Sequence, residues 1–118
     1  MQKYIMLNNY YKGLLAEKLA LIYLKINNHK IVKHRYKNKC GEIDIISLHK
    51  RQLHFIEVKS RKNHEFFLDV LNKKQQKRIK NSALYFLQAN PNFADYKFSF
   101  DVIFISFPFY FTYIHNSF

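Results

Sequence analysis

Cysteine is nearly absent, with Cys40 the only one in 118 residues. A lone thiol excludes a disulfide framework and a thiolate zinc cluster, and it fits a reducing cytosol. Glycine and proline are almost as scarce, two of each, so no Gly/Ser-rich linker divides the chain. No internal repeat appears either. A single domain over residues 1–118 is expected, since one core typically occupies about 100 to 200 residues. The N-terminal MQKYIMLNNYYKG lacks the continuous apolar stretch of a signal peptide. The most membrane-like run, Val102 to Ile114, is shorter than the roughly 20 residues a spanning helix needs, and Pro108 interrupts it. A cytoplasmic protein with no membrane span is expected.

Acid is the other scarcity. Eight Asp and Glu face 20 Lys and Arg, a net charge of +12. Such a potential attracts polyanions, of which nucleic acid is the commonest. Lys outnumbers Arg by 16 to 4, as AT-rich codon usage would also produce, so drift accounts for part of the basicity. With 48% hydrophobic and 18% aromatic residues the chain has ample apolar surface to fold.

Apolar residues recur at helical spacing from Asn9 to Ile26, at Leu15, Ala16, Leu19, Ala20, Ile22, Tyr23 and Ile26, with Lys18 and Lys25 opposite. Asn27 and Asn28 end that helix. KIVKHRY, GEIDIISL and QLHFIEVKS then read as three antiparallel strands separated by polar turns. Helical spacing returns from Asp69 to Gln88, with Ile79, Ala83, Phe86 and Leu87 on one face, and NPN at 90–92 stops it. KFSFDVIFIS is a fourth strand, brought parallel to a neighbour by the crossover helix. The order α-βββ-α-β predicts an α/β fold with a mixed central sheet flanked by helices.

The rare acids cluster. In GEIDIISLHKRQLHFIEVKSR, residues two apart share a strand face. Glu42, Asp44 and Ile46 then point one way and Ile43 and Ile45 the other, while Leu53, Phe55, Glu57 and Lys59 share a face of the next strand. A hairpin turning near residues 50 and 51 sets Asp44 beside Glu57. Adjacent carboxylates repel unless a cation sits between them or one is protonated. Hard oxygen ligands favour Mg²⁺ or Mn²⁺. Lys59 would project beside such an ion, where an ammonium orients an attacking water and stabilises charge building on a phosphate. EVK alone would equally suit a cross-strand charge pair on a solvated face; its combination with GEID favours the phosphodiesterase constellation.

GLLAEKLALIYL, GEIDII, FIEVKSR, KRIKNSALYFL and FDVIFI, in this order and spacing, resemble the YraN-like family of small bacterial proteins with a restriction-endonuclease-like fold. The resemblance runs from about Gly13 to the C-terminus. The wider similarity is to archaeal Holliday junction resolvases and to Mg²⁺- or Mn²⁺-dependent nucleases. It implies a metal-dependent DNA endonuclease acting on branched or damaged DNA, the alternative being a non-catalytic nucleic-acid-binding protein of the same fold. It further implies Asp44 and Glu57 as metal ligands, Lys59 as the catalytic lysine, a metal-binding carbonyl at Val58, and Glu17 as the acid contributed by the first helix. By helical angle Glu17 falls at the edge of the apolar face, where an ordinary surface glutamate would also lie. Glu42 takes a supporting role. The chain departs from its relatives at NNHK, where Gly is common, and in the loop Lys62 to Asp69, which lacks the usual Gly. In KKQQKRI the match to the family's helix lysine falls on either Lys74 or Gln75.

Lys73, Lys77 and Lys80 form a stripe on the second helix, flanked by Lys74 and Arg78. The stripe is either a DNA-binding face or a solvated one. Arg61 and Lys62 follow the active strand directly and are better placed to hold a phosphate. The six histidines show no ligand spacing and receive no chemistry. The aromatic C-terminus, Phe107 to Phe118, either pairs two copies into a homodimer or completes the core of one.

Overall fold

A computed structural model describes residues 2–62, 71–107 and 110–118, with side chains for 10–60, 71–106 and 111–118. Its elements are helix α1 (Gln2–Ile26), strands β1 (Lys30–Asn38), β2 (Gly41–His49) and β3 (Gln52–Lys62), helix α2 (Lys73–Ala89), and strands β4 (Lys97–Phe107) and β5 (Tyr110–Ile114). The five strands form one sheet in sequence order. β1–β2, β2–β3 and β4–β5 are antiparallel, and β3–β4 is parallel across the α2 crossover. This is the α/β mixed sheet flanked by helices that the sequence pattern predicts, and it is compatible with the restriction-endonuclease-like fold that the family resemblance implies.

Each helix covers one face of the sheet. Ala16, Ala20 and Leu24 of α1, four residues apart, pack on Ile45, Ile56, Ile103 and Ile105. Two alanines in that line bring the helix close to the sheet. On the other face Ile79, Ala83 and Phe86 of α2 pack on Ile46, Leu53, Phe55, Val102 and Phe104. Alternate residues of β3 and β4 therefore serve two different cores, which is why both strands are apolar on both faces. The β2–β3 turn at Lys50 and Arg51 has φ of 51° and 59°, the left-handed pair that matches the twist of a two-residue hairpin.

Several expectations shift. α1 begins at Gln2 rather than Asn9, and Leu15, Leu19, Ile22 and Ile26, expected on the packed face, are exposed; the narrow Ala16–Ala20–Leu24 line suffices to seat the helix. Asn72 caps α2, accepting the Gln75 N–H at 2.8 Å while the Gln75 side chain returns the bond, so the helix starts at Lys73. Asp69, its expected start, lies outside the described residues. Ile43 packs with Ile46 and Phe55, not with Ile45; it lies past the last β2–β3 pair, Ile45 with Ile56, where only β1 still pairs with β2. β5 adds a strand from the aromatic C-terminus. There Phe118 stacks on Phe100 at 5.3 Å and the Tyr113 hydroxyl reaches Asp101, so this part of the C-terminus packs into its own chain.

Gly41 fixes how the β1–β2 hairpin meets α2. Its φ is 151°, and a Cβ there would lie 3.3 Å from Ser82 Oγ. Asn38 locks the same contact, donating to the Ser82 carbonyl at 3.2 Å and accepting the Cys40 N–H at 2.8 Å. Gly41→Ala should lower stability by about 1 to 3 kcal/mol through backbone strain. Urea denaturation measures it, and an unchanged midpoint would show that the hairpin moves freely on α2.

Candidate active site

The β2–β3 ladder pairs Ile45 with Ile56 and Ile46 with Phe55. One step farther, where Asp44 meets Glu57, side chains replace the backbone bonds. The Val58 N–H donates to Asp44 Oδ2 at 2.8 Å, and the Asp44 N–H lies 3.4 Å from Glu57 Oε1. The two carboxylates are thus clasped at the point where the strands part, as the position of the turn predicts.

Burial pushes the Glu57 carboxyl up to about 8, and the Asp44 charge adds to the shift. Burial also raises Asp44; the Val58 N–H pulls it back, Glu17 and Glu42 push it further up, and the Lys59 ammonium lowers it. Lys59 acts on Glu57 in the same sense. Both carboxylates therefore feel one ammonium and each other, and without a cation the pair holds a proton at neutral pH.

Glu17 reaches the same place from α1, near enough to act on Asp44. Its carboxylate is already engaged, with Oε2 accepting from Arg35 Nη2 at 2.8 Å and Nε at 3.2 Å. Arg35 is a residue that sequence reasoning passed over. It lies between His34 and Tyr36, which pair with Ile45 and Ile43, so the ladder sets it opposite Asp44. Its φ of 55° is left-handed within a strand, a conformation that persists where the surroundings enforce it. No sequence signal marks it within the basic run KHRYKNK. Glu42 is exposed and pairs with Lys37 at 3.2 Å, acting on Asp44 only through space.

A cavity of about 300 Å³ opens beside the pair, walled by Glu42, Asp44, Glu57, Gln75, Arg78 and Ile79. α2 thus contributes Gln75 and Arg78 there. Of the α2 lysines expected to face DNA, Lys73, Lys74 and Lys77 are exposed, while Lys80 sits over the Phe100 and Phe118 rings at 5.7 and 5.9 Å, at a different part of the fold. Arg61 and Lys62 continue the β3 backbone past Lys59; their side chains lie outside those described. The donor chemistry fits a hard dication, because the clasped pair offers oxygen atoms and, once its proton is displaced, two negative charges against the single charge of Lys59.

Residues 16–105 match the family described as Uncharacterised protein family UPF0102. The chain belongs to this family. The match runs from α1 into β4 and includes Glu17, Asp44, Glu57 and Lys59. A UPF0102 protein of Ehrlichia ruminantium (strain Gardel) is 41% identical over 111 residues, spanning 89% of this chain and 81% of the relative. A Caldanaerobacter subterraneus relative is 42% identical over 94 residues, 77% of this chain and 75% of its own. A Helicobacter pylori (strain Shi470) relative is 44% identical over 81 residues, 69% and 71% respectively. UPF0102 is the YraN-like family that the motifs resemble.

Metal-free protein should lose stability as pH rises. The folded Glu57 pKa lies above its ordinary 4.5, at about 8, so between those values the folded state holds a proton that the unfolded state has released, and stability falls with pH across that window. Asp101, held at about 2, acts oppositely at acid pH, and His29, lowered from 6.5 to about 4, does so between those values, so the fall stands clear above about pH 6.5. Glu57→Gln should flatten the slope of unfolding free energy between about pH 6.5 and 8; an unaltered slope would mean that Glu57 ionises normally.

Proposed function

We propose that UPF0102 proteins of this type are metal-dependent phosphodiesterases acting on DNA. The observation that carries the proposal is the clasped Asp44–Glu57 pair beside Lys59, two half-buried carboxylates held together at a strand divergence with an excess of negative charge. Asp44, Glu57 and the Val58 carbonyl would hold Mg²⁺ or Mn²⁺. When bound, such an ion lowers the pKa of water and polarises a phosphoryl oxygen.

The chain's own groups supply the rest. Lys59 donates hydrogen bonds to the attacking water or to the phosphate oxygen on which charge develops. Arg78 and Gln75, on the opposite wall of the cavity, offer a cation and an amide to the phosphates flanking the scissile bond. Glu17, neutralised by Arg35, orients that arginine next to Asp44, a supporting task in place of direct ligation. Water adds to phosphorus and a P–O bond breaks, leaving a phosphate monoester and a hydroxyl. Branched or damaged DNA is the favoured substrate by analogy of fold alone.

Asp44→Asn, Glu57→Gln and Lys59→Ala should each reduce cleavage by about 10²-fold or more, since all three act on one transition state. Gel assays on linear, single-stranded, flap and four-way DNA with Mg²⁺ or Mn²⁺ measure this. No cleavage of any form by the wild type would leave a nucleic-acid-binding module. Equal cleavage by the variants would point to a contaminant.

DNA affinity should fall steeply with salt, because phosphate contacts release condensed counterions. Replacing Lys73, Lys77 and Lys80 together should reduce the slope of log K against log salt, with Lys80 contributing least given its place over two aromatic rings. Fluorescence anisotropy measures it; an identical slope would make the stripe a solvated face.

A further inference from the structure

The histidines, which spacing leaves without a role, converge on one buried carboxylate. Asp101 of β4 has no exposed surface. Its Oδ2 accepts from His54 Nδ1 at 2.7 Å and from the Tyr113 hydroxyl, while its Oδ1 accepts the Asn116 N–H at 3.0 Å and lies 3.3 Å from His115 Nδ1. The His54 ring lies 5.5 Å from that of His115 and 4.9 Å from that of His29, and His29 stacks on His49 at 4.5 Å. Four of the chain's six histidines thus border one cavity of about 230 Å³.

We propose that His54, Asp101 and His115, with His29 facing them, form a second metal site that takes a borderline transition dication such as Zn²⁺. One ligand atom from each of the first three residues lies within 4.8 Å of the others. Ligands about 2.0 to 2.1 Å from a tetrahedral zinc stand roughly 3.3 Å apart. The His115–Asp101 separation of 3.3 Å already matches, and the His54–Asp101 separation of 2.7 Å needs only a small opening. Imidazole nitrogen selects Zn²⁺, Co²⁺ or Ni²⁺ over Mg²⁺, so this site and the Asp44–Glu57 pair differ in the ions they prefer.

The protonation states suit ligation. Burial pushes Asp101 up, but its hydrogen bonds from His54, Tyr113 and Asn116 outweigh that and hold it at about 2, an anion at neutral pH. Burial, with His54 and His49 nearby, holds His29 at about 4, so its ring is neutral, and its Nδ1 is hydrogen-bonded to Ser47 Oγ at 2.8 Å. His54 changes tautomer on binding, its proton passing to Nε2 while Nδ1 takes the ion, and Asp101 stays ionised. The oxygen donors of the other site are separate: His54 lies three residues before Glu57 on the opposite face of β3, about 10 Å along the strand. An ion here would fasten β3, β4 and the turn after β5, closing the C-terminal edge of the sheet.

Cobalt(II) titration of chelator-treated full-length protein tests this directly. The expected result is one equivalent of Co²⁺ giving the intense visible bands of four-coordinate cobalt, displaced by Zn²⁺ and retained in the Asp44→Asn, Glu57→Gln double variant. His115 is exposed, so His115→Ala should fold normally by circular dichroism yet bind at least about tenfold more weakly. Zn²⁺ should raise the melting temperature of the wild type more than that of His115→Ala. The proposal is overturned if no such bands appear, if folded His115→Ala binds as tightly as the wild type, or if the bands vanish with Asp44 and Glu57 instead.

Discussion

Asp44 and Glu57 repel each other, yet the backbone holds them together. The cause is the register of the β2–β3 hairpin, fixed by a two-residue left-handed turn at Lys50 and Arg51 and by core residues on both faces. Slipping the pairing by one residue would move Ile45, Ile46, Phe55 and Ile56 to the wrong cores at once. Their burial, worth about 1.5 to 3 kcal/mol per large apolar side chain, exceeds the electrostatic penalty at the strand end. The sheet therefore imposes a pair of carboxylates that would separate if free, and the excess charge has to be met by protons, by Lys59 or by a cation.

The positive charge of the chain is arranged around that constraint. Four of the eight acids, Glu17, Glu42, Asp44 and Glu57, lie close enough to interact. Two of them have cationic partners from β1: Arg35 holds Glu17 and Lys37 pairs with Glu42. β1 thus neutralises the outer acids and leaves the inner pair short of charge. That gradient, neutral at the rim and acidic at the clasp, is the electrostatic ground for the dication proposed there, since a lysine's long stem and single charge suit the rim.

The three antiparallel strands β1 to β3, the parallel return of β4, the hairpin register and the Asp44–Glu57–Lys59 cluster were legible in sequence because each rests on local signals: period-two strands, a short polar turn and a crossover helix. Arg35 was not, because a left-handed residue inside a strand leaves no compositional mark unless it is Gly or Asn. The exposed side of α1 was misassigned for a related reason. Helical spacing groups Leu15, Ala16, Leu19, Ala20, Ile22, Tyr23 and Ile26 as one broad face, of which Ala16 and Ala20 are buried while Leu15, Leu19, Ile22 and Ile26 are exposed, so periodicity alone could not single out the narrow Ala16–Ala20–Leu24 line that seats the helix. The His54–Asp101–His115 cluster was invisible, since its members come from β3, β4 and the turn beyond β5, and nothing local announces contacts across 47 and 61 residues of sequence.

β3 joins both halves of the chemistry because it is the central strand, paired on one side with β2 and on the other with β4. Its odd-numbered residues, Leu53, Phe55, Glu57 and Lys59, run from the α2 core to the carboxylate clasp. Its even-numbered residues run from His54 over Ile56 to Val58 on the α1 side, where His54 meets Asp101. Alternation along one strand thus separates oxygen donors from nitrogen donors by the thickness of a sheet, and the apolar residues between them keep the two sets of charge apart. The same alternation couples their positions. A shift of β3 against β4 would open the His54–Asp101 contact of 2.7 Å and displace Glu57 from Asp44 together, so the ion proposed for Asp101, His54 and His115 would also hold the strand on which Glu57 and Lys59 stand.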